Sequence, residues 1–370
     1  MSIKVVQIID NLIIGGAQKL LVTLAGEARA HGLELTVVSL SAAQDRAILD
    51  DLAELGVKVT VFSAPHLLDF KRLIHLRRFM ASRGFDLVQC HLTYANILGT
   101  LCARSLGLPV VTTLHSTVDE LRSFHPMIGA LEIWSLRYLA KRVLAVGYTI
   151  ANSFRARLGG REIDVIPNAV PLPVSLSAEE RLALRQGLAG EARREMLIGV
   201  GRFAPPKGFA DLIAAIARLV PSHPNILLLL AGDGPLFGEI RDLVALLGLE
   251  KNVLLLGARR DVPRLLAASD LYVSSSHWEG LPLALLEAMM AGLPVVATHV
   301  GDMPRLVTAE SGRIVPPRQP EALAVAIEQL LSDPARMRAM GASARALALR
   351  DYSPQAWMEK LLNLYRELLS

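Results

Sequence analysis

Cysteine is scarce in this chain of 370 residues. Cys90 and Cys102 supply neither a disulfide framework nor the thiolates of a metal cluster, which suits a reducing cytoplasm. Every apolar run of about 18 residues is interrupted by charge, so no membrane-spanning helix is expected. The opening run carries Lys4 in its middle and reaches Asp10, which reads as a first strand and not as a signal peptide. There is no D-x-D and no His/Cys ligand cluster, so no metal site is expected. The missing G-x-S-x-G and G-x-G-x-x-G argue against a serine hydrolase and a dehydrogenase. The net charge of +4 is small, and no basic-aromatic motif accompanies it, so nucleic acid is not an expected partner. That excess lies wholly in residues 1–170, with 18 Lys/Arg against 14 Asp/Glu; residues 171–370 hold 21 of each.

What is present is apolar sequence in quantity, 52% of residues against 20% charged, enough for two buried cores. Runs of β type alternate with helical patterns throughout, which implies parallel sheets with crossover helices. In the first half the expected strands are Ile3–Ile9, Glu34–Leu40, Val57–Phe62, Asp86–Cys90, Pro109–Leu114, Arg142–Val146 and Ile163–Ile166. Residues 171–177, with two prolines and no period, read as a linker. The alternation then restarts with Met196–Val200, Ile226–Ala231, Asn252–Leu256, Leu271–Ser274, Pro294–Ala297 and Gly312–Val315. Helices over 319–332 and 334–349 and a last one from about Ser353 close the chain. The expected organisation is a domain over 1–170, a second over 171–350, and a closing segment over 351–370. Two doubly wound domains would place their strands' carboxyl ends, and a ligand, at a cleft between them.

Four stretches carry chemistry. Leu271–Pro294 reads as strand, Ser-rich turn, Glu-Gly-Leu-Pro loop and helix, with Glu279 in the loop and Glu287 eight residues later in the helix. The unpaired N–H groups of that helix, from about Leu283, would point between the two carboxylates and suit phosphate oxygens. Glu287 is flanked by Leu285, Leu286, Ala288 and Met289, where a carboxylate needs a partner. Gly201-Arg202-Phe-Ala-Pro-Pro-Lys207-Gly208 follows a strand and sets two cations five residues apart on one loop, a forked donor and a point charge for phosphate. Gly15 and Gly16 let backbone approach a ligand at the head of the first helix, or simply make a strand-to-helix turn. Gly232 and Gly234 end one strand, Ala258 and Arg259 follow the next, and either pair could shape a slot for a base. His91 and His115 stand at consecutive strand ends, where a structural role is the commoner one for a lone histidine.

In this order the pieces resemble glycosyltransferase family 4, over essentially the whole chain. Ser276-His-Trp-Glu279-Gly-Leu-Pro-Leu-Ala-Leu-Leu-Glu287 is similar to that family's E-x7-E signature, Gly201–Gly208 to its G-R-x3–4-K-G loop, and Gly232–Pro235 to its G-x-G-P turn. Ile166-Pro-Asn168 resembles its P-N-G, with Ala169 in place of Gly. The resemblance implies a GT-B fold: α/β, two doubly wound Rossmann-like domains facing each other across a cleft. It implies a retaining transferase acting on a nucleotide-diphosphate sugar, with uridine as the default base and a glycan or lipid-linked glycan as acceptor. Arg202 and Lys207 would bind the diphosphate, helped by Gly16 and the Leu283 amide. Glu287 would hold the ribose, and Glu279, with Gly280 and Leu281 beside it, the transferred sugar. His115 would lie beside that sugar, with His91 and Asn168 on the acceptor side. Gln18, where many members have Glu, and His277 depart from the pattern. A nucleotide-sugar 2-epimerase and a non-catalytic sugar-nucleotide-binding paralogue are the alternatives.

A helix over His66–Met80 presents Lys71, His75 and Arg78 as one stripe, with Arg72 on its flank and Phe79 towards the polar side. Leu73, Leu76 and Met80 lie opposite. An anionic membrane surface, reached from the cytoplasm, is the partner such a face would meet; the alternative is an ordinary solvated helix face.

Overall fold

The computed structural model describes residues 2–66, 69–117, 126–190 and 194–370. Its contacts divide the chain into two units, Met1–Ala169 with Pro354–Ser370, and Val170–Ser353. Among the described residues the first unit holds a parallel sheet of seven strands: β1 (Ile3–Ile9), β2 (Leu33–Ser39), β3 (Lys58–Val61), β4 (Leu87–His91), β5 (Val110–Leu114), β6 (Arg142–Ala145) and β7 (Asp164–Val165). They lie in the order β3-β2-β1-β4-β5-β6-β7. The second unit holds β8 (Glu195–Val200), β9 (Ile226–Ala231), β10 (Val253–Gly257), β11 (Leu271–Ser274), β12 (Val295–Thr298) and β13 (Gly312–Val315). Their order is β10-β9-β8-β11-β12-β13. Both sheets are doubly wound, as expected, and every expected strand is present to within one or two residues.

In each sheet the strand order reverses once, between β1 and β4 and between β8 and β11. Ligands of such folds bind outside the carboxyl ends of the strands at that switch point. The second switch is open by construction. β11 pairs with β8 only through Leu271↔Leu197 and Tyr272↔Ile198, so the two strands part before their loops begin.

The helix at the carboxyl end begins at Pro354, because Ser353 before the proline is extended and ends the preceding helix at Tyr352. That preceding helix, Pro334–Tyr352, runs three residues further than its period suggested. Trp357, Met358, Leu361, Leu362 and Tyr365 of Pro354–Leu369 enter one core with Val5, Ile9 and Val111 of the sheet and Leu20, Leu21 and Leu24 of the helix Gly16–Ala28.

The opposite sheet face is covered by three helices side by side, Phe70–Arg83, Thr93–Ser105 and Pro126–Tyr138. Here the sequence reading needs correction. Arg72 is buried, and its guanidinium donates to Leu40 O at 3.3 Å and His66 O at 3.0 Å. Phe79 is an inward residue, stacked with Phe62 and Phe85 at ring separations of 5.4 and 6.0 Å. A helical wheel places Arg72 on the flank and Phe79 towards the polar side, and the neighbouring loops then draw them inside. The outward face carries Phe70, 78% exposed, and Ile74, beside Lys71, His75, Arg77 and Arg78. Residues 67–68, in the first turn of the expected helix, lie outside the described residues.

The closing helix is expected to be integral to the first unit. Leu361→Ala, at a position with no solvent exposure, should cost about 2–5 kcal/mol in chemical denaturation. A loss under about 0.5 kcal/mol, the range of surface substitutions, would show the helix to be peripheral.

Candidate active site

In the second unit the loops after β8, β9 and β11 meet backbone to backbone. Gly201 N donates to Ala231 O at 3.0 Å and Phe203 N to Asp233 O at 3.0 Å. Gly232, at φ +144°, lies so close that an added Cβ would sit 1.9 Å from Gly201 O. At Gly234 an added Cβ would fall 2.5 Å from Phe203 O. These glycines are therefore required for loop-on-loop contact, whatever else they touch.

The cationic loop is fastened to the loop of Glu279. Gly208, at φ +58°, lets the backbone pass under Ser275 O, and Ser275 Oγ donates to Lys207 O at 2.9 Å. His277 N donates to Pro206 O at 2.7 Å, and His277 Nε2 meets Asp211 Oδ2 at 2.8 Å. Lys207 Nζ stands 2.5 Å from Glu279 Oε1, to which Ser276 Oγ also donates at 2.9 Å. The side chains of Lys207 and Glu279 are only 24% and 14% exposed. From the other side Thr298 Oγ1 donates to Ser276 O at 2.6 Å, and Gly301 leaves room for Glu279 O.

Glu279 thus precedes the helix Leu283–Met290 with its carboxylate already engaged, and Glu287 is half-buried in that helix. Pro282 is the residue just before the first turn. Tyr272, fully buried on β11, feels both carboxylates, and its hydroxyl is pushed far above its ordinary pKa, first by burial. Arg202 is exposed and makes no ion pair among the described residues. Arg259 forks onto its neighbour Asp261, Nε to Oδ1 and Nη2 to Oδ2, both at 2.7 Å. Arg259 and Ala258 follow the edge strand β10, two strands from the switch and so about 10 Å away.

In the first unit Gly15 precedes the helix Gly16–Ala28. Gln18 is buried, and its Nε2 donates to Asn11 O at 3.1 Å and Asn11 Oδ1 at 3.3 Å. A glutamate there could not donate, so the Gln is needed for this loop's shape.

His91 and His115 come together, His91 Nδ1 to His115 Nε2 at 3.0 Å. His91 is 1% exposed and its other nitrogen meets Gln7 Oε1 at 2.7 Å. The expected acceptor-side role for His91 gives way to a place behind His115. Asn168 is also buried, its Oδ1 without a partner among the described residues.

Sequence reading did not single out Gln7, Gln89 or Tyr365, which continue the chain from His91. It also passed over Asp10, whose carboxylate accepts from Ala95 N at 2.7 Å and Tyr94 N at 3.1 Å. Burial pushes the Asp10 pKa up to about 7 despite those bonds. A polar residue at the carboxyl end of an apolar strand was the available signal.

The family model for glycosyl transferases group 1 matches residues 181–347, and that for glycosyltransferase family 4 matches residues 14–173. The 2-deoxystreptamine glucosyltransferase of Streptomyces kanamyceticus is 33% identical over 276 residues, covering 68% of this chain and 69% of that protein. This chain belongs to glycosyltransferase family 4. A galactosyltransferase of Escherichia coli, named for transfer from UDP-Gal to GlcNAc-diphosphoundecaprenol, is 30% identical over 65% of each protein. HepE of Anabaena, crystallised with UDP-glucose, superposes with a TM-score of 0.82 at 25% identity over 98% of this chain and 99% of that one. The two sheets of this glycosyltransferase are the two Rossmann-like domains of the GT-B fold.

The pair Lys207–Glu279 should behave as a unit. Lys207→Ala and Glu279→Ala are each expected to destabilise by about 1–3 kcal/mol, through the partner left unpaired. The double variant should lose less than the sum by denaturant titration. Strict additivity would mean that the ion pair contributes nothing.

Proposed function

We propose that this family 4 enzyme is a retaining glycosyltransferase. It moves a hexose or N-acetylhexosamine from a UDP-linked donor to a glycan or lipid-linked glycan, in the assembly of a cell-surface or extracellular polysaccharide. The observation that carries the reading is the Arg202–Lys207 loop bound to Glu279 at the β8/β11 switch, ahead of the helix Leu283–Met290. UDP and UDP-glucose in the HepE structures support the choice of base. The name of the Escherichia coli relative supports a lipid-diphosphate-linked acceptor.

In this reading the leaving UDP gains negative charge while the sugar carbon becomes oxocarbenium-like. Lys207, held by Glu279, and the helix amides from Leu283 are already positioned and, with the exposed Arg202, meet that charge at the diphosphate. No metal ion is given a part in the step. The diphosphate lies at the switch and the nucleoside runs towards Gly232, Gly234, Ala258 and Arg259. Arg259 exchanges part of its bond to Asp261 for any contact it makes there. Glu287 takes the ribose hydroxyls, and Glu279, with the Gly280–Leu281 backbone, a hydroxyl of the sugar. A carboxylate held by Lys207 and Ser276 is a weak nucleophile, which favours same-face attack assisted by the departing phosphate over a glycosyl-enzyme on Glu279. His115 lies on the acceptor side.

Glu287→Ala is expected to weaken UDP binding in calorimetry, whereas Glu279→Ala, which frees Lys207 for the phosphate, should lower turnover with the sugar donor without weakening UDP binding. Equal UDP affinity in wild type and Glu287→Ala removes the ribose assignment. Among sugar nucleotides screened by thermal shift, the true donor at about 100 Kd should add about 2.7 kcal/mol.

We also propose that the three-helix face of the first unit rests on the inner, anionic face of the cytoplasmic membrane, where a lipid-linked acceptor is met. Phe70, Ile74, Met127 (86% exposed), Trp134 and Tyr138 supply apolar and aromatic groups. Lys71, Arg77 and Arg78 supply charge, about 1 kcal/mol each near such a surface. Among the described residues no helix is long and apolar enough to cross a membrane. Wild type should sediment with phosphatidylglycerol vesicles at low salt and be released at high salt. A Lys71/Arg77/Arg78→Ser variant should stay in solution; equal partitioning would leave the face merely solvated.

A further inference from the structure

A chain of buried polar groups runs across the first unit's sheet from the closing helix to His115. Gln7 Nε2 donates to Tyr365 OH at 3.1 Å and to Gln89 Oε1 at 3.3 Å. Tyr365 OH itself donates to Gln89 Oε1, and Gln89 Nε2 donates to Thr113 Oγ1 at 2.8 Å. With its NH2 group turned to those two oxygens, Gln7 offers its carbonyl to His91 Nε2 at 2.7 Å, and that nitrogen must donate. A neutral imidazole has one N–H, so His91 Nδ1 is an acceptor. The hydrogen bond at 3.0 Å to His115 is then given by His115 Nε2.

Both rings are neutral at ordinary pH. Burial holds His115 down to about 4, and burial together with its neighbour holds His91 well below its usual value. The backbone beyond His91 is also held out of its preferred range: Leu92 has φ +72° without being glycine.

We infer that His91 is a positioning residue which, oriented by Gln7, fixes His115 with its proton on Nε2 and its lone pair on Nδ1. His115 can then take a hydrogen bond from a hydroxyl of the sugar or acceptor and cannot give one. The assignment rests on the glycosyl-transfer reading for the identity of that hydroxyl, and on the hydrogen-bond chain alone for the tautomer. It makes substrate choice at this point a matter of a donor hydroxyl: a deoxy or O-methyl analogue at the contacted position leaves Nδ1 without its bond.

The test is long-range proton–nitrogen correlation NMR on the full chain with 15N-labelled histidine, the His115 signals being assigned by their loss in His115→Gln. In wild type His115 should show a protonated Nε2 and an unprotonated Nδ1, and His91 the same pattern. A proton on His115 Nδ1, or a mixture of tautomers, overturns the inference. Gln7→Leu removes the acceptor that orients His91 and should bring in the second tautomer of His115. Identical spectra in wild type and Gln7→Leu overturn the relay. With the donor found by screening, His91→Leu should lower kcat about 10–100-fold, as when the partner orienting a ligating histidine is lost, with KM for the donor little changed. His91→Asn, whose carbonyl can stand where Nδ1 does, should recover most of that loss. Equal losses in the two variants overturn the positioning role. A wild-type chain that shows the single tautomer but transfers no sugar overturns the glycosyl-transfer reading and leaves the relay standing.

Discussion

The ion pair between Lys207 and Glu279 is the contact on which the second unit's site depends. A parallel sheet that reverses its strand order at β8 and β11 leaves two loops side by side with no ladder to join them. Something other than strand pairing must set their distance. Here Lys207 crosses from one loop to Glu279 on the other, and the bonds of Ser275 and His277 to Lys207 O and Pro206 O seal the same seam. Glycine is needed where this seam is tightest, at Gly208 under Ser275 O and at Gly301 against Glu279 O. Lys207 and Glu279 are consequently fixed by the fold itself, the kind of preorganisation that adds no ordering cost during a reaction.

The first unit uses uncharged groups to the same end. Gln18 holds the loop of Asn11 by donating twice, and Gln7, Gln89 and Tyr365 hold His91. Buried amides and a hydroxyl fix direction at lower desolvation cost than ions would, provided every member is partnered. That proviso explains why the polar residues sit together, Gln7 beside Gln89 within β1 and β4 and His91 at the end of β4, with apolar residues such as Val5 and Leu87 below them.

The fold was readable in the sequence because its determinants are local. Apolar runs such as Ile226–Ala231 between amphipathic helices leave little choice but a parallel sheet. The charged residues of the candidate site could be singled out for a similar reason: Arg202 with Lys207, and Glu279 with Glu287, lie on short continuous stretches. What stayed hidden depends on pairing between distant segments. Gln89 and Tyr365 are 276 residues apart and meet only when the closing helix returns to the first sheet. Periodicity placed Arg72 on a helix flank, but the carbonyls of Leu40 and His66 that draw it inside belong to other segments. The partner of Lys207 was hidden in the same way, since the sequence shows two charges in separate loops and not the 2.5 Å between them.

That partner changes how the site attracts its donor. Residues 171–370 carry 21 basic and 21 acidic side chains, and the site repeats the balance with Arg202 and Lys207 against Glu279 and Glu287. Only the helix end, worth about half a charge, tips it towards an anion. A donor diphosphate is therefore not drawn in by a strong net field, as a polyanion binder's ligand would be. In the proposed reaction it is recognised by geometry: a fork from Arg202, amides at the head of Leu283–Met290, and a lysine shared with Glu279. Sharing Lys207 links the two ends of the donor. As the phosphate takes up part of the lysine's charge, Glu279 is left a stronger acceptor for a sugar hydroxyl, and a bound sugar in turn releases Lys207 towards the phosphate. In that reaction the ion pair thereby becomes the coupling between leaving group and transferred sugar, and a nucleotide lacking its sugar engages only half of it.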